Sequence, residues 1–575
     1  MQVQRLTAAL LLGLSPACAG PAEDGEEPTH EPSFDDRVSR AFDEAFAFEP
    51  TWGTYLGLHE YDERLQDLSR ASIEARIAQL QATLASFERI DPAALSFDAE
   101  VDLAAVLGWL RAELLELERV QGWRRNPMVY AGLPGEAVDS LMKRDFAPAE
   151  IRLRSMIARM NAVPSIYASA RANLEAPPRV FTETAIGMAA GTAIFFERSL
   201  PTWLESAGIE DAELLHRCEA ARQRVLEATH EFAAWLRTEL RPLSDGDFRI
   251  GEELFLAKLE HEDGIRTTLG ELLARGEAQL ARDHAAAVAT AAAIDPDATA
   301  REVMARLQQD HPTAGELIPT IRRSVESARA FLIEHDLATI PRDTRPRVEE
   351  TPLYARDGGF ASMDTPGPFE ERATEAFYYV TPAEPYWEPE HVEQHLGLFN
   401  RWVMPYIDVH EAYPGHFLQF LWGPQVPTLT RQAIDSAMNA EGWAHYTEQM
   451  MADHGFPGDD PRYRLAQLSE ALIRDVRYVA GIRLHTEGMT IAEGAALFEE
   501  LAFLDPANAL AEAERGAWDP TYLVYTYGKL LIQELARDFM EARGASLREF
   551  HDAFVREGAL PIPLVRRLLL ERPGS

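Results

Sequence analysis

Between Phe34 and about Ile340, apolar residues recur at three- and four-residue intervals among Glu, Arg and Ala. A chain patterned in this way can bury its apolar side chains only as amphipathic helices. The clearest runs are Ser72–Arg89, Ala149–Leu174, Asp211–Leu240 and Thr268–Ala293. Pro127, Pro134, Pro177-Pro178, Pro201, Pro242, Pro296 and Pro312 read as the breaks between them. Strand-like alternation is scarce and no fixed-period repeat is visible, so nothing suggests a solenoid. From Pro341 to Pro389 the texture changes: Pro and Gly become dense, and Phe377-Tyr-Tyr-Val380 forms a short β-rich run. A free edge on that strand, which carries Tyr379, is suited to holding an extended peptide. A small core strand in a loop-rich insert is the alternative. The expected fold is mainly α, with two lobes around a cleft and a small β insert. Residues 34–340 form the helical N-terminal lobe, and 341–575 form the insert and a second helical lobe.

Length and charge narrow the function. A chain of 575 residues and 64.3 kDa buries a large core and suggests two or more domains. The formal net charge of -38 argues against nucleic acid and anionic membrane surfaces as partners, because phosphate would be repelled. Residues 1–18 combine Arg5, the apolar run Leu6–Leu14 and Ser-Pro-Ala-Cys18, a secretory signal too short to span a bilayer. The small residues before Cys18 resemble a bacterial lipoprotein box, with Ser15 where Leu is usual; plain cleavage near Ala19 is the alternative. Residues 19–33 are rich in Pro, Gly and Glu and read as an acidic tether. Cys18 and Cys218 are the two cysteines of the chain, so no disulfide framework is expected.

One stretch carries chemistry: Asp408-Val-His410-Glu411-Ala-Tyr-Pro-Gly-His416-Phe-Leu-Gln419. It approaches the His-Glu-x-x-His zinc motif, in which two histidines four residues apart share a helical face and the glutamate is the general base. Here the spacing is six, which places His416 about 240° round a regular helix from His410. Pro414 collides with the carbonyl of His410 in such a helix, and Gly415 accepts unusual backbone angles, so the two residues are expected to loop out. A helix end with a chance His-Glu pair is the competing reading.

A long helix expected over about Thr430–Asp453 contains Glu441, which could complete a His₂Glu set while leaving a coordination position open. His445 and Glu448 lie on its face and could support the ligands from behind. Gly442 beside them gives up helix stability, which suggests that another helix or a ligand comes close there. Glu441 on a solvated helix face is the bland alternative. Later, the helical stretch Ser469–Gly488 carries Arg474, Arg477 and His485, and Tyr525 and Tyr527 lie near Gly528. Tyr525 or His485 could stabilise an oxyanion, and an arginine such as Arg477 could hold a substrate carboxylate. Tyr527, Gln419 and Tyr379 join Arg477, His445 and Glu448 as candidates for surrounding the ligands or holding substrate.

With these residues in view, the chain resembles a bacterial family catalogued as domain of unknown function 885. The resemblance runs from Pro50-Thr-Trp-Gly-Thr-Tyr-Leu-Gly-Leu-His59 to Tyr525-Thr-Tyr-Gly528. Its most specific pieces are His410-Glu-Ala-Tyr-Pro-Gly-His416-Phe-Leu-Gln419 and Glu441-Gly-Trp-Ala-His-Tyr446. Members of that family are mostly helical, often exported, and look like distant relatives of zinc peptidases that use glutamate as third ligand. The resemblance implies a metallopeptidase-like fold, one Zn²⁺ per chain at His410, His416 and Glu441, and Glu411 as base. Gly481 stands where many members are expected to have Asp, four residues before His485. The activity expected is hydrolysis of short peptides outside the cytoplasm. A non-catalytic peptide-binding or scaffold lipoprotein with a relict site, and a zinc hydrolase of another amide or ester, are the alternatives.

Overall fold

Helices form along the segments where they are expected, and many begin at a side chain that satisfies the first free N–H groups. The computed structural model describes residues 32–352, 356, 360–384 and 386–573. The export segment 1–18 and residues 19–31 of the tether lie outside the described residues. Helix α1 (Phe97–Leu115) is capped by Ser96, which accepts from the Ala99 N–H. Among the helices that follow are α2 (Met128–Met142), α3 (Ala149–Asn173), α4 (Arg179–Ile194) and α5 (Ala212–Trp235). Pro134, expected to separate helices, instead lies inside α2, and Pro164 lies inside α3. Helices α6 (Gly251–Asp263), α7 (Leu269–Ile294) and α8 (Leu317–Glu334) complete this part, α7 opening with a Thr268–Glu271 capping box.

A three-stranded sheet comes next: β1 (Arg347–Glu350), β2 (Ala361–Asp364) and β3 (Phe377–Val380) in the order β1-β3-β2. β3 pairs in parallel with β1, Arg347 opposite Phe377, and antiparallel with β2, Ala361 opposite Val380. The strand expected to offer a free edge is therefore central, and both its edges are taken. Its alternation has a structural use: the Tyr378 hydroxyl donates to Asp408 Oδ1 at 2.8 Å, while Phe377 and Tyr379 stack on the other face.

The metal-motif region is built from α9 (Met404–Glu411), α10 (His416–Trp422), α11 (Leu429–Ala433) and α12 (Ala437–Asp453). The single helix expected over Thr430–Asp453 is two. The chain leaves α11 at Ile434 and restarts at Ser436, whose N–H donates to the Ala559 carbonyl at 2.7 Å and whose side chain caps α12. Helices α13 (Pro461–Thr486) and α15 (Val524–Arg543) pack on α12, α16 (Leu547–Arg556) meets it through His551 and Phe554, and α14 (Pro506–Trp518) packs on α13.

The apolar core does not divide at residue 340. One cluster joins Val38, Leu110 and Leu332 to Val409, Trp443 and Leu569. A second, with Tyr130, Met156, Phe195 and Phe232, belongs to α2–α5 and the turns beside them. A third joins α7 to α13 and the helices after it through Leu280, Leu472 and Phe498. Among the described residues, no helix is long and apolar enough to cross a membrane.

Candidate metal centre

The His410–His416 interval is not a bulge inside one helix but a break between two. Helix α9 stops at Glu411, Ala412 leaves the helical region, and α10 restarts at His416. Gly415 fits here for lack of a side chain: a Cβ would sit 1.9 Å from the His410 carbonyl oxygen and 2.4 Å from that of Val409. Close approach of these two carbonyls requires glycine here. The Gly415 N–H donates to the Val409 carbonyl at 2.9 Å, the Leu418 N–H to that of Ala412 at 3.2 Å, and Trp443 Nε1 to that of Pro414 at 2.9 Å. These bonds fold α10 back against α9.

The fold brings the two imidazoles together edge to face, with ring centroids 4.8 Å apart and planes at 89°. Both Nε2 atoms face one oxygen of Glu441, from His410 at 3.3 Å and from His416 at 3.5 Å. One potential ligand atom from each of the three residues lies within 4.8 Å of the others. Glu441 Oε2 is buried yet forms no proper hydrogen bond. Two nitrogens and one carboxylate oxygen converging without hydrogen bonds are what a tetrahedral zinc site offers, so the residues fit that ion.

Electrostatics agree. Burial disfavours a charged His410, but Glu441 and Glu448 outweigh it and lift its pKa to about 10. Burial would likewise raise Glu441, yet the two histidines hold it well below the usual carboxylate range. The cluster thus stabilises positive charge at the point where a cation would sit. Behind it, Glu448 Oε1 takes a hydrogen bond from His410 Nδ1 at 2.7 Å, which leaves Nε2 free towards Glu441. Glu448 also meets His445 Nδ1 at 3.4 Å and the Arg474 guanidinium at 3.8 Å. Glu411 follows His410 and is buried; burial raises its pKa, the charges of His410 and His416 oppose this, and Glu441 adds to it.

Tyr525 is brought to the same place by a glycine crossing. A Cβ on Gly442 would lie 2.6 Å from Gly528 Cα, and one on Gly528 would lie 2.2 Å from the Met438 carbonyl oxygen. Helices α12 and α15 therefore touch backbone to backbone, and the Tyr525 ring stands 6.5 Å from that of His410. Arg477 lies 5.1 Å from the centre of the Tyr525 ring and is held by Glu512 through two bonds of 2.7 Å. Arg515 donates to the Tyr525 hydroxyl at 3.3 Å.

Three other candidates face elsewhere. His485, two turns beyond Arg477 on α13, bonds the Gly516 carbonyl at 2.8 Å and meets the edge of Phe248. Gly481, one turn before it, leaves the space that the Tyr522 ring fills. Tyr527 packs on Tyr478 and under Arg275. Tyr379 lies on the face of β3 opposite the one that reaches Asp408. Gln419 is buried beside the site, and its Nε2 donates to Asn439 Oδ1 at 2.8 Å. Sequence reading missed Asp408, whose bond from Tyr378 ties α9 to the sheet; a lone acid in the apolar run Met404–Val409 was the available signal.

Two large cavities lie beside the α11–α12 break. One of about 830 Å³ is bounded by α1, α6 and the first residues of α12 and α15, and one of about 630 Å³ lies between α1 and α2. Asp435 lines both. Ala437, one turn before Glu441, and Val524, next to Tyr525, line the larger.

Comparison with known proteins extends over nearly the whole molecule. A family model described as "Bacterial protein of unknown function (DUF885)" matches residues 50–569. No curated protein matches the sequence. A solved structure described as "a putative lipoprotein of unknown function from Shewanella oneidensis" superposes with a TM-score of 0.77 at 24% identity, covering 94% of this chain and 100% of that one. Another, "the putative lipoprotein from Colwellia psychrerythraea", gives 0.80 at 17% identity over 93% and 98%. At these identities the likeness establishes a shared, mainly helical fold.

Proposed function

Because the chain belongs to DUF885, a bacterial family of unknown function, its activity has to be read from its site, and we propose a zinc-dependent peptidase acting on short peptides. The observation that carries this reading is the convergence of His410, His416 and Glu441 beside the buried Glu411. Zn²⁺ held by those three residues would supply Lewis acidity, making water acidic near pH 7 and polarising a carbonyl. Glu411 takes the proton from the attacking water on its carboxylate and later passes it to the leaving amine. Burial raises its proton affinity, which suits a group that must both accept and return a proton. Tyr525, with Arg515 on its hydroxyl and Arg477 on its ring, donates to the oxyanion that develops at the substrate carbonyl. A relict binding site has no use for Glu411, so its place beside both histidines favours an enzyme over a scaffold.

Metal analysis and peptide hydrolysis test this together. The purified protein should hold about one zinc per chain, and His410→Ala should lose it. Glu411→Gln should keep the metal and lose hydrolysis of a mixed peptide pool by about 10²–10⁴-fold. Full activity in Glu411→Gln removes the base from the mechanism, and stoichiometric zinc in His410→Ala removes the ligand set. Hydrolysis of esters or other amides with no cleavage of any peptide would reassign the substrate.

We further propose that the protein works outside the cytoplasm on a lipid anchor at Cys18, as the sequence of residues 1–18 and the names of both solved relatives suggest. Mass spectrometry of the N-terminal peptide should then find a lipid-modified Cys18. An unmodified chain starting near Ala19 argues for a simple secreted form.

A further inference from the structure

Gln419 has a free oxygen whose identity can be worked out from its neighbours. The Leu560 carbonyl can only accept, so Asn439 must present Nδ2 to it, at 2.6 Å. Asn439 Oδ1 is then an acceptor, and Gln419 must donate to it through Nε2, at 2.8 Å. Gln419 Oε1 is left over. It is an acceptor on a side chain 5% exposed, and it has no hydrogen-bond partner. A buried carbonyl oxygen without a donor is unfavourable unless something supplies one.

Gln419 lines a cavity of about 90 Å³ together with Phe417, Phe420, Asp435 and Arg342. Phe420 also touches the metal site, its ring 6.2 Å from that of His416. The cavity has room for the end of a ligand but not for a whole peptide. Four charged groups line it. Arg431 is consumed by Asp98, Asp102 and Glu557. Glu370 is held by His59 and by the N–H groups of Arg372 and Ala373. Asp435 and Arg342 form no ion pair with each other or with any other described residue. Asp435 also lines the two larger cavities.

We infer that this cavity binds the free terminal ammonium of a short peptide, so that the enzyme works from the amino end of its substrates. Gln419 Oε1 accepts one ammonium N–H, and Asp435 supplies the counter-charge. The remainder of the peptide would run along Phe420, which lines the cavity and stands beside His416. Arg342 offers the opposite charge at the same opening, which suits a substrate carrying a carboxylate as well as an amine. The inference rests on the peptidase reading and adds to it a class of substrate and an end of attack.

The test uses zinc-loaded Glu411→Gln, which should bind peptides without consuming them. A pool of peptides three to five residues long is compared with the same pool after N-acetylation, by equilibrium dialysis and mass spectrometry. Free-amino peptides should be retained at least about tenfold better than acetylated ones, as expected for a charge-assisted hydrogen bond. Adding Asp435→Asn, at a side chain that faces open space, should cut the preference to about threefold or less. Gln419→Met, which keeps the volume and removes the acceptor, should lower it independently. Equal retention of both pools, with hydrolysis by the wild type, overturns this inference alone. A preference unchanged in both variants overturns the assignment to this cavity. Retention of neither pool overturns it together with the peptidase reading.

Discussion

Glu448 shows how one side chain acts on a metal it would not touch. It accepts from His410 Nδ1 at 2.7 Å and so fixes which imidazole nitrogen faces Glu441. Burial would raise its pKa, but Arg474, His445 and His410 hold it well below the ordinary range, so it stays an anion. Glu448→Gln keeps the shape and removes that charge. Zinc affinity, measured by competition with a chelator, should fall about 10–100-fold. An unchanged affinity would mean that α12 orients His410 without Glu448. A supporting place for Glu448 was legible in the sequence, because positions 441, 445 and 448 share a helix face; its bond to His410 was not. Gln419 Oε1 was not, because its freedom depends on Asn439 and on the Leu560 carbonyl, 141 residues further on, and no local pattern records either.

At the next level up, the meeting of α12 and α15 sets where Tyr525 stands. The obstruction to any side chain there is backbone: the Met438 carbonyl oxygen lies 2.2 Å from a Cβ built on Gly528, and no rotamer can relieve it. Gly528→Ala should therefore push the helices apart, destabilise the fold by about 1–3 kcal/mol, and lower kcat more than zinc content. Urea unfolding with metal analysis and peptide kinetics would check this, and wild-type stability and kcat together would show that α15 can shift freely. Helix extents were readable where local chemistry ends a helix. Ala149–Leu174 was expected and Ala149–Asn173 is found, and Thr268–Ala293 became Leu269–Ile294 behind a capping box. The break at Ile434–Ser436 was not readable, because neither Pro nor Gly marks it. It is made by distant partners, the Ala559 carbonyl and Asp263. The sheet was misjudged for a related reason: Phe377–Val380 announces a strand, but which strands flank it depends on the weakly patterned segments at 347–350 and 361–364.

Across the whole molecule, the early helices and the metal helices share one core, and Asp263 is a point where they are tied through a titrating group. It ends α6, and its Oδ1 accepts from the Ser436 hydroxyl at 2.7 Å, at the start of the helix that carries Glu441. Burial, with Glu262 adding to it, lifts its pKa from 3.8 to about 7, although Ser436, Lys258 and the Met438 N–H pull the other way. The folded chain therefore binds this proton more tightly than the unfolded chain does. The stabilisation is fully present below pH 3.8 and is lost progressively as the pH rises to about 7. Other carboxylates in this chain have lowered pKa values and act in the opposite sense, so the wild-type pH profile alone would not isolate Asp263. Asp263→Asn does isolate it, since an amide oxygen can still accept from Ser436 and carries no charge at any pH. Relative to wild type, Asp263→Asn should gain Tm between pH 5 and pH 8, because only the wild type must bury a carboxylate at the higher pH. A Tm difference between the two proteins that stays constant from pH 5 to pH 8 would show that Asp263 reaches enough water to ionise freely, and that the contact between α6 and α12 does not depend on its proton.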